Sequence, residues 1–272
     1  MAIFRFLIIL FFLATATQAY AVDETAYERV AKSHTLRCGY FIWPPILVKD
    51  GNTGKISGAS YELMGSLAKG LGLKVEWTME VAPAEIATAL NTKKIDAFCV
   101  PVFETPSRAM VMNFVGTLGY AALYPYVRPD DNRVKSIQNI NDPKLKISVM
   151  EGEGASMLAH SMFDKAGFYE LPQMSSASDL FVNVVTKKAD IILSDVMTAD
   201  GFIRNNPNSL KKATREAIGT FPFSFAVGQG ETDLQIALNQ ALHIMVSTGE
   251  LEHLYKKYGI AVDGIYTPAK PY

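Results

Sequence analysis

One short pattern occurs twice in this chain. Thr92-Lys93-Lys94-Ile95-Asp96-Ala97-Phe98 is echoed by Thr186-Lys187-Lys188-Ala189-Asp190-Ile191-Ile192. Each copy follows a stretch with helical spacing of apolar residues and opens an apolar run of strand character. One βαβ unit used twice predicts two similar α/β lobes. Two such lobes facing one another leave a cleft between them, a usual seat for a small ligand.

The surrounding pattern fits two doubly wound lobes. From Leu36 the order reads strand, turn, helix, strand, helix, strand. Tyr61 to Gly70 is expected as a helix with Leu63, Met64, Leu67, Ala68 and Leu71 on one face, ended by Gly70 and Gly72. Leu73, Val75, Trp77 and Met79 alternate with polar residues, which predicts a half-buried strand with Trp77 in the core. Pro83 suits the first turn of a helix that turns Ile86, Ala89 and Leu90 inward, and Ile95 to Val100 is apolar enough for a buried parallel strand. After Asp142-Pro143 the order restarts: a strand at 147–150, a turn at 152–154, helices at 155–166 and 175–186, and a strand at 191–193.

Two aromatic-rich stretches, Tyr120 to Arg128 and Phe221 to Val227, are expected to cross between lobes. They set the expected boundaries: residues 22–121 with 222–272 in one lobe, and 122–221 in the other. The C-terminal part reads as helical. Thr232-x-x-Gln235 resembles a capping box ahead of the stripe Leu234, Leu238, Ala241, Leu242 and Met245. Leu251, Leu254, Tyr255 and Tyr258 form a second short helix stopped by Gly259.

Residues 1–21 read as a signal peptide. Arg5 supplies the basic start, Phe6 to Leu13 the apolar segment, and Ala19-Tyr20-Ala21 the small-x-small cleavage pattern. The apolar run is short for a membrane span, and no Cys follows the cleavage point to carry a lipid. A periplasmic protein is expected. The whole chain has 26 basic and 27 acidic side chains; losing Arg5 with the leader leaves 25 against 27, a net charge of −2. No basic stripe points to nucleic acid. The four His residues are scattered without ligand spacing, so neither a metal nor another cofactor is expected. Cys38 and Cys99 leave two readings open in an oxidising compartment: a disulfide, or two buried inert thiols. Neighbouring strands, where both are expected, place Cβ atoms awkwardly for a bridge.

In order and spacing, several segments resemble a known family. These are Leu36-Arg37-Cys38-Gly39, Trp43-Pro44-Pro45, Gly58-Ala59-Ser60-Tyr61-Glu62-Leu63, Lys94-Ile95-Asp96-Ala97, Thr105-Pro106-Ser107-Arg108, Ala189 to Asp195, and Gly249-Glu250-Leu251 to Gly259. From about Leu36 to Ile260 the chain is similar to the periplasmic solute-binding proteins of family 3, the polar amino-acid type that feeds ABC importers. The resemblance implies a type II periplasmic-binding fold with a hinge and an inter-lobe cleft. It implies a monomer that binds an amino acid or related small carboxylate and then docks on permease subunits in the inner membrane. It also assigns roles. Arg108 grips the ligand carboxylate, for which a planar guanidinium fork is suited. Asp195 pairs with the ligand ammonium, although it also fits an N-cap for the following helix. Trp43 stacks on the ligand.

The chain departs from the family pattern in two places. Val100-Pro101-Val102-Phe103-Glu104 stands where hydroxyl and Gly donors are usual, so the carboxylate contact rests mostly on Arg108. Glu151-Gly152-Glu153-Gly154-Ala155-Ser156 stands where a Gly-Thr-Thr type loop is usual. The two acids either cap the helix or, facing inward, favour a cationic group. Tyr40, Phe41, Trp43 and Phe103 are expected to form an aromatic wall, and Gly154 is also expected to contact the ligand. A ligand with a carboxylate, an amine and an apolar or planar part follows. The main alternative is a periplasmic dehydratase of the prephenate or arogenate type on the same fold, which needs a positioned acid such as Glu104, Glu151 or Glu153. A sensor that presents its closed form to a receptor is a third reading.

Overall fold

The computed structural model describes residues 24–172, 175–260 and 262–269. The leader read at residues 1–21 lies outside them. No helix among the described residues is long and apolar enough to cross a membrane.

The first lobe opens with helix α1 (Ala26–Ser33) and strand β1 (Thr35–Tyr40), followed by a small hairpin, β2 (Val48–Lys49) with β3 (Ile56–Ser57). Helix α2 (Ala59–Gly70), strand β4 (Lys74–Glu80), a 3₁₀ turn (Pro83–Glu85), helix α3 (Ile86–Asn91) and strand β5 (Ala97–Phe103) complete its βαβαβ unit. A single helical turn, α4 (Pro106–Ala109), leads into the long strand β6 (Met112–Val127). The second unit runs through β7 (Lys146–Met150), α5 (Gly154–Met162), β8 (Gly167–Leu171), α6 (Ala177–Val185) and β9 (Ile191–Asp195). Helix α7 (Val196–Asn205), the short β10 (Lys211–Lys212) and the long β11 (Gly219–Gly228) follow. Helices α8 (Thr232–Thr248) and α9 (Glu250–Lys257) and the short β12 (Ile265–Tyr266) end the described chain.

Strand order is β4-β1-β5-β11-β6-β9-β7-β8. Each lobe therefore has the same plan. The first strand of its unit lies in the middle and pairs in parallel with the second and third strands on either side. The long antiparallel strands β6 and β11 join the two halves. They pair from Met112 with Gly228 through to Leu123 with Gly219, while Leu123 to Val127 pair with β9. The core divides accordingly. Leu36, Phe98, Val100 and Phe225 lie in the first-lobe cluster, and two further clusters, around Ile192 and Val184 and around Ile147 and Val149, pack in the second lobe. Burying one such side chain contributes about 1.5–3 kcal/mol.

The repeated segment does the same structural work in both lobes. Thr92 and Thr186 each donate to a carbonyl one turn back, at 2.7 Å from Thr88 O and Val182 O. Lys93 and Lys187 both take left-handed backbone, with φ 56° and 65°. The acid then pins the start of the lobe's first strand: Asp96 accepts from the Arg37 amide at 2.7 Å, and Asp190 from the Lys146 amide at 3.0 Å. Each acid is further held by arginines, Arg29 and Arg37 on Asp96, Arg128 and Arg133 on Asp190. A buried carboxylate needs such donors and cations.

Two sequence expectations change here, and one question left open is answered. Helix α5 stops at Met162 rather than near Ala166, because the Asn141 side chain accepts from the Lys165 and Ala166 amides at 2.7 and 3.2 Å and draws the chain into β8. That strand carried no distinct alternation and was not foreseen. The capping box at Thr232 does not form: α8 begins at Thr232, and the Gln235 side-chain Nε2 instead donates to Phe114 O at 2.6 Å. Cys38 and Cys99 form a disulfide with Cα atoms 5.5 Å apart. Cys38 is in register with Ala97, so its partner lies diagonally across the strand pair, where β1 is irregular on its other edge between Cys38 and Gly39. The diagonal placement brings the two side chains within reach.

Candidate functional site

Strand order reverses direction beside β1 in one lobe and beside β7 in the other, and ligands of α/β sheets lie outside the strand ends at such points. The predicted residues sit there. Tyr40 ends β1 and Trp43 follows it; Phe103 ends β5 and leads to Arg108; Gly154 follows β7; Asp195 ends β9.

Arg108 is on α4, a turn set up by its own sequence. Thr105 caps it by accepting from the Arg108 amide, and Pro106 takes the first helical position. The guanidinium is buried, with the residue 6% exposed. It donates to Phe103 O at 3.1 Å and across to Gly152 O of the second lobe at 2.6 Å. Burial holds its pKa below the ordinary arginine value, and the charge of Glu153 opposes that shift.

The facing loop depends on two glycines. Gly152 has φ +76°, and a Cβ there would stand 2.6 Å from the backbone of Ala84 in the first lobe. Gly154 opens α5, and a Cβ there would meet Phe103 at 2.8 Å and the Arg108 guanidinium at 3.0 Å. Only a loop bare of side chains lets the two lobes approach this closely. Glu153 between them is the N-cap of α5. Its carboxylate accepts from the Ala155 amide at 3.0 Å, the Ser156 amide at 2.6 Å and the Ser156 hydroxyl at 2.8 Å. Of the two readings open for this acid, capping is what the structure contains. Glu151 is exposed.

Asp195 is both the end of β9 and the N-cap of α7, accepting from the Thr198 amide at 3.0 Å and from its hydroxyl at 2.7 Å. It is 6% exposed, and burial pushes its pKa up against the opposing Thr198 hydrogen bonds. The same Thr198 hydroxyl accepts from the Trp43 indole at 3.2 Å, so a first-lobe aromatic is tied to the second-lobe acid through one oxygen. Met197, next to it, packs against the first-lobe core.

The aromatic residues divide between two faces. Phe41 lies beside Trp43, with ring centroids 6.1 Å apart, and beside Phe98. Tyr40 is buried and packs edge-on against Trp77, which also stacks on Tyr61. Phe103 packs with Leu123, Ala155 and Leu158, linking the end of β5 to α5. Sequence reasoning did not single out Thr198, Met197, Ala84, or the Gly152 carbonyl as the acceptor for Arg108. The Asp195-x-x-Thr198 spacing, an N-cap with a hydroxyl at its third helical position, was a usable signal for Thr198. Among the described residues no cluster of His, Cys, Asp and Glu is arranged to hold a metal ion.

The chain is 25% identical to a probable amino-acid ABC transporter-binding protein of Haemophilus influenzae over 252 residues, covering 90% of this chain and 95% of that protein. It is 23% identical to the arginine-binding extracellular protein ArtP of Bacillus subtilis, over 79% of this chain and 82% of that one. Among solved structures, an ancestral amino acid-binding protein, a precursor of cyclohexadienyl dehydratase, is 26% identical with a TM-score of 0.72, covering 86% of this chain and 99% of that one. An ancestral arginine-binding protein bound to arginine is 25% identical with a TM-score of 0.69, covering 83% and 98%. Residues 36–261 match one family throughout, and the chain belongs to the bacterial extracellular solute-binding proteins, family 3.

Proposed function

We propose that this protein is the substrate-binding component of an ABC importer and holds an amino acid between two lobes that close on it. Arg108 takes the ligand's α-carboxylate and Asp195 its α-ammonium. Trp43, Phe103 and Gly154 shape the walls, and Tyr40 stiffens the first-lobe side through Trp77. Residues 22–121 and 222–272 make one lobe and 122–221 the other, with β6 and β11 as the hinge. A signal peptide at residues 1–21 delivers the chain to the periplasm, where it acts as a monomer. The closed form docks on the permease subunits, and opening releases the ligand to them.

One observation carries this reading. Two buried groups of opposite charge, Arg108 and Asp195, stand on different lobes at the strand ends where the order reverses, and each already has a contact that reaches across through Gly152 or Thr198. A zwitterion satisfies both charges at once, and only in the closed form. The names of the relatives above support an amino acid as the ligand.

Thermal shift of the mature protein against the twenty amino acids, simple amines and small carboxylates tests it. A ligand at a hundred times its Kd stabilises the fold by about 2.7 kcal/mol. At least one amino acid is expected to do so. No shift with any of them contradicts the reading.

A further inference from the structure

We propose that residues 262–266 form a strap that ties the two lobes together at the hinge and limits how far they part. The inference takes the hinge from the reading above and goes beyond it, and its test needs no ligand.

The strap fills a gap in the sheet. One edge of β6 is covered by β11 from Met112 to Leu123 and by β10 at Tyr126 and Val127. The other edge meets β9 only from Leu123 onward. Strand β12 occupies the stretch just before that point. Ile265 is in register with Ala121 and Tyr266 with Tyr120, and Gly264 O accepts from the Ala122 amide at 2.7 Å. The next residue of β6, Leu123, is the partner of Asp195. The strap therefore abuts the end of β9 that carries the candidate ligand acid.

Its contacts reach both lobes. On the approach, the Ile260 amide donates to Tyr255 O at 2.8 Å, and Ile260 is buried in the first-lobe core. At the turn, Gly264 has φ +90°, a conformation that suits glycine, and it lies against the second lobe. A Cβ there would stand 3.4 Å from Val196, the first residue of α7, and 3.5 Å from Tyr124. Ile265 packs against the first-lobe cluster and also against the second-lobe cluster around Ile192 and Val184. The strap also lies close on β6, since a Cβ on Gly119 would stand 2.8 Å from Tyr266 O. Swinging the lobes apart bends the crossing strands and moves α7 away from the first-lobe core. Ile265 touches both sides, so parting them exposes apolar surface on one side of it or pulls the strap from β6. Either cost falls on the open form.

Small-angle scattering and amide hydrogen exchange of the ligand-free mature protein test this, with Ile265→Val and Ile265→Ala beside the wild type. In the wild type the Ala122 amide should exchange as slowly as the β6 amides bonded to β11. Ile265→Ala should speed Ala122 exchange by about tenfold or more and raise the radius of gyration, while the Leu36 and Val149 amides in the two lobe cores keep their wild-type rates. Ile265→Val should move both readings in the same direction and by less. A substitution that only weakened the fold at large would speed all three amides together, and that result overturns the inference. Fast Ala122 exchange in the wild type overturns it whatever the variants do. So does a folded Ile265→Ala with the wild-type radius of gyration; where Ile265→Ala does not fold, Ile265→Val is read by the same criterion. None of these results bears on amino-acid binding, which stands or falls on the thermal shift.

Discussion

The Trp43 indole N–H donates to the Thr198 hydroxyl at 3.2 Å, and that hydroxyl donates in turn to Asp195 at 2.7 Å. One oxygen thus serves a side chain on each side of the cleft. It orients the buried acid and ties a first-lobe side chain to it.

Replacing that oxygen tests the link. Thr198→Val is close in shape, leaves the indole N–H without its partner and takes a donor from Asp195. Loss of a buried hydrogen-bond partner costs about 1–3 kcal/mol. Ligand affinity should fall by that amount, and Trp43 emission should move to the red as the indole meets water. An unchanged Kd in the folded variant would show that the link has no part in closure.

Asp195 gives opposite signs for stability and binding. Its pKa is raised by burial, so the native state binds the proton more readily than the unfolded chain, whose value stays near 3.8. Its contribution to the stability of the ligand-free protein is present in acid and is lost as pH rises through the raised pKa. Ligand affinity should climb over the same interval, because an ammonium needs the ionised form. Asp195→Asn should abolish binding, remove both pH dependences, and leave the ligand-free protein as stable or more stable by about 0–2 kcal/mol at neutral pH. A variant that binds normally, or a pH profile of affinity with the reverse slope, contradicts the assignment. Calorimetry and denaturant titration across the acid range supply both curves.

Arg108→Ala should weaken binding by about 2–5 kcal/mol, the range for truncating one partner of a buried charge contact. It also strips Phe103 O and Gly152 O of their donor, so some stability is lost in the free protein. Arg108→Lys should recover only part of the affinity, since an ammonium lacks the planar fork. Full rescue by lysine would mean that charge alone matters there.

The Cys38–Cys99 bridge closes a separation of 61 residues within the first lobe. Chain-entropy reasoning gives about 4 kcal/mol for a loop of that size. Cys38→Ala with Cys99→Ala should cost roughly 2–5 kcal/mol in denaturant unfolding. Because the bridge is buried between β1 and β5, ligand affinity should change little while the protein stays folded. A loss of stability below about 1 kcal/mol would contradict the loop-closure account.

The plan of the fold was largely legible in the chain, and the reason lies in the echoed segment. Thr92 and Thr186, Lys93 and Lys187, and Asp96 and Asp190 make matching local contacts within a few residues or with the adjacent first strand. Local chemistry of that kind leaves a trace in spacing. The roles of Arg108 and Asp195 came from the family resemblance; local spacing alone offered only caps, and the structure has Thr105 capping the turn that carries Arg108 and Asp195 capping α7.

What escaped depends on contacts between segments distant in sequence. Nothing near Gln235 announces Phe114 O as its partner, and nothing near Lys165 announces Asn141. The bridging role of Thr198 exists only once Trp43 has been carried to it by the fold. The disulfide stayed undecided because it turns on a diagonal offset between two strands, a matter of register that cysteine spacing does not encode.

The most direct test of the central claim is a crystal structure of the mature protein with the amino acid that gives the largest thermal shift. The account predicts the ligand enclosed between the lobes, its carboxylate within hydrogen-bond distance of the Arg108 guanidinium and its ammonium within hydrogen-bond distance of the Asp195 carboxylate. A ligand bound elsewhere, or bound in the cleft with neither side chain touching it, contradicts it.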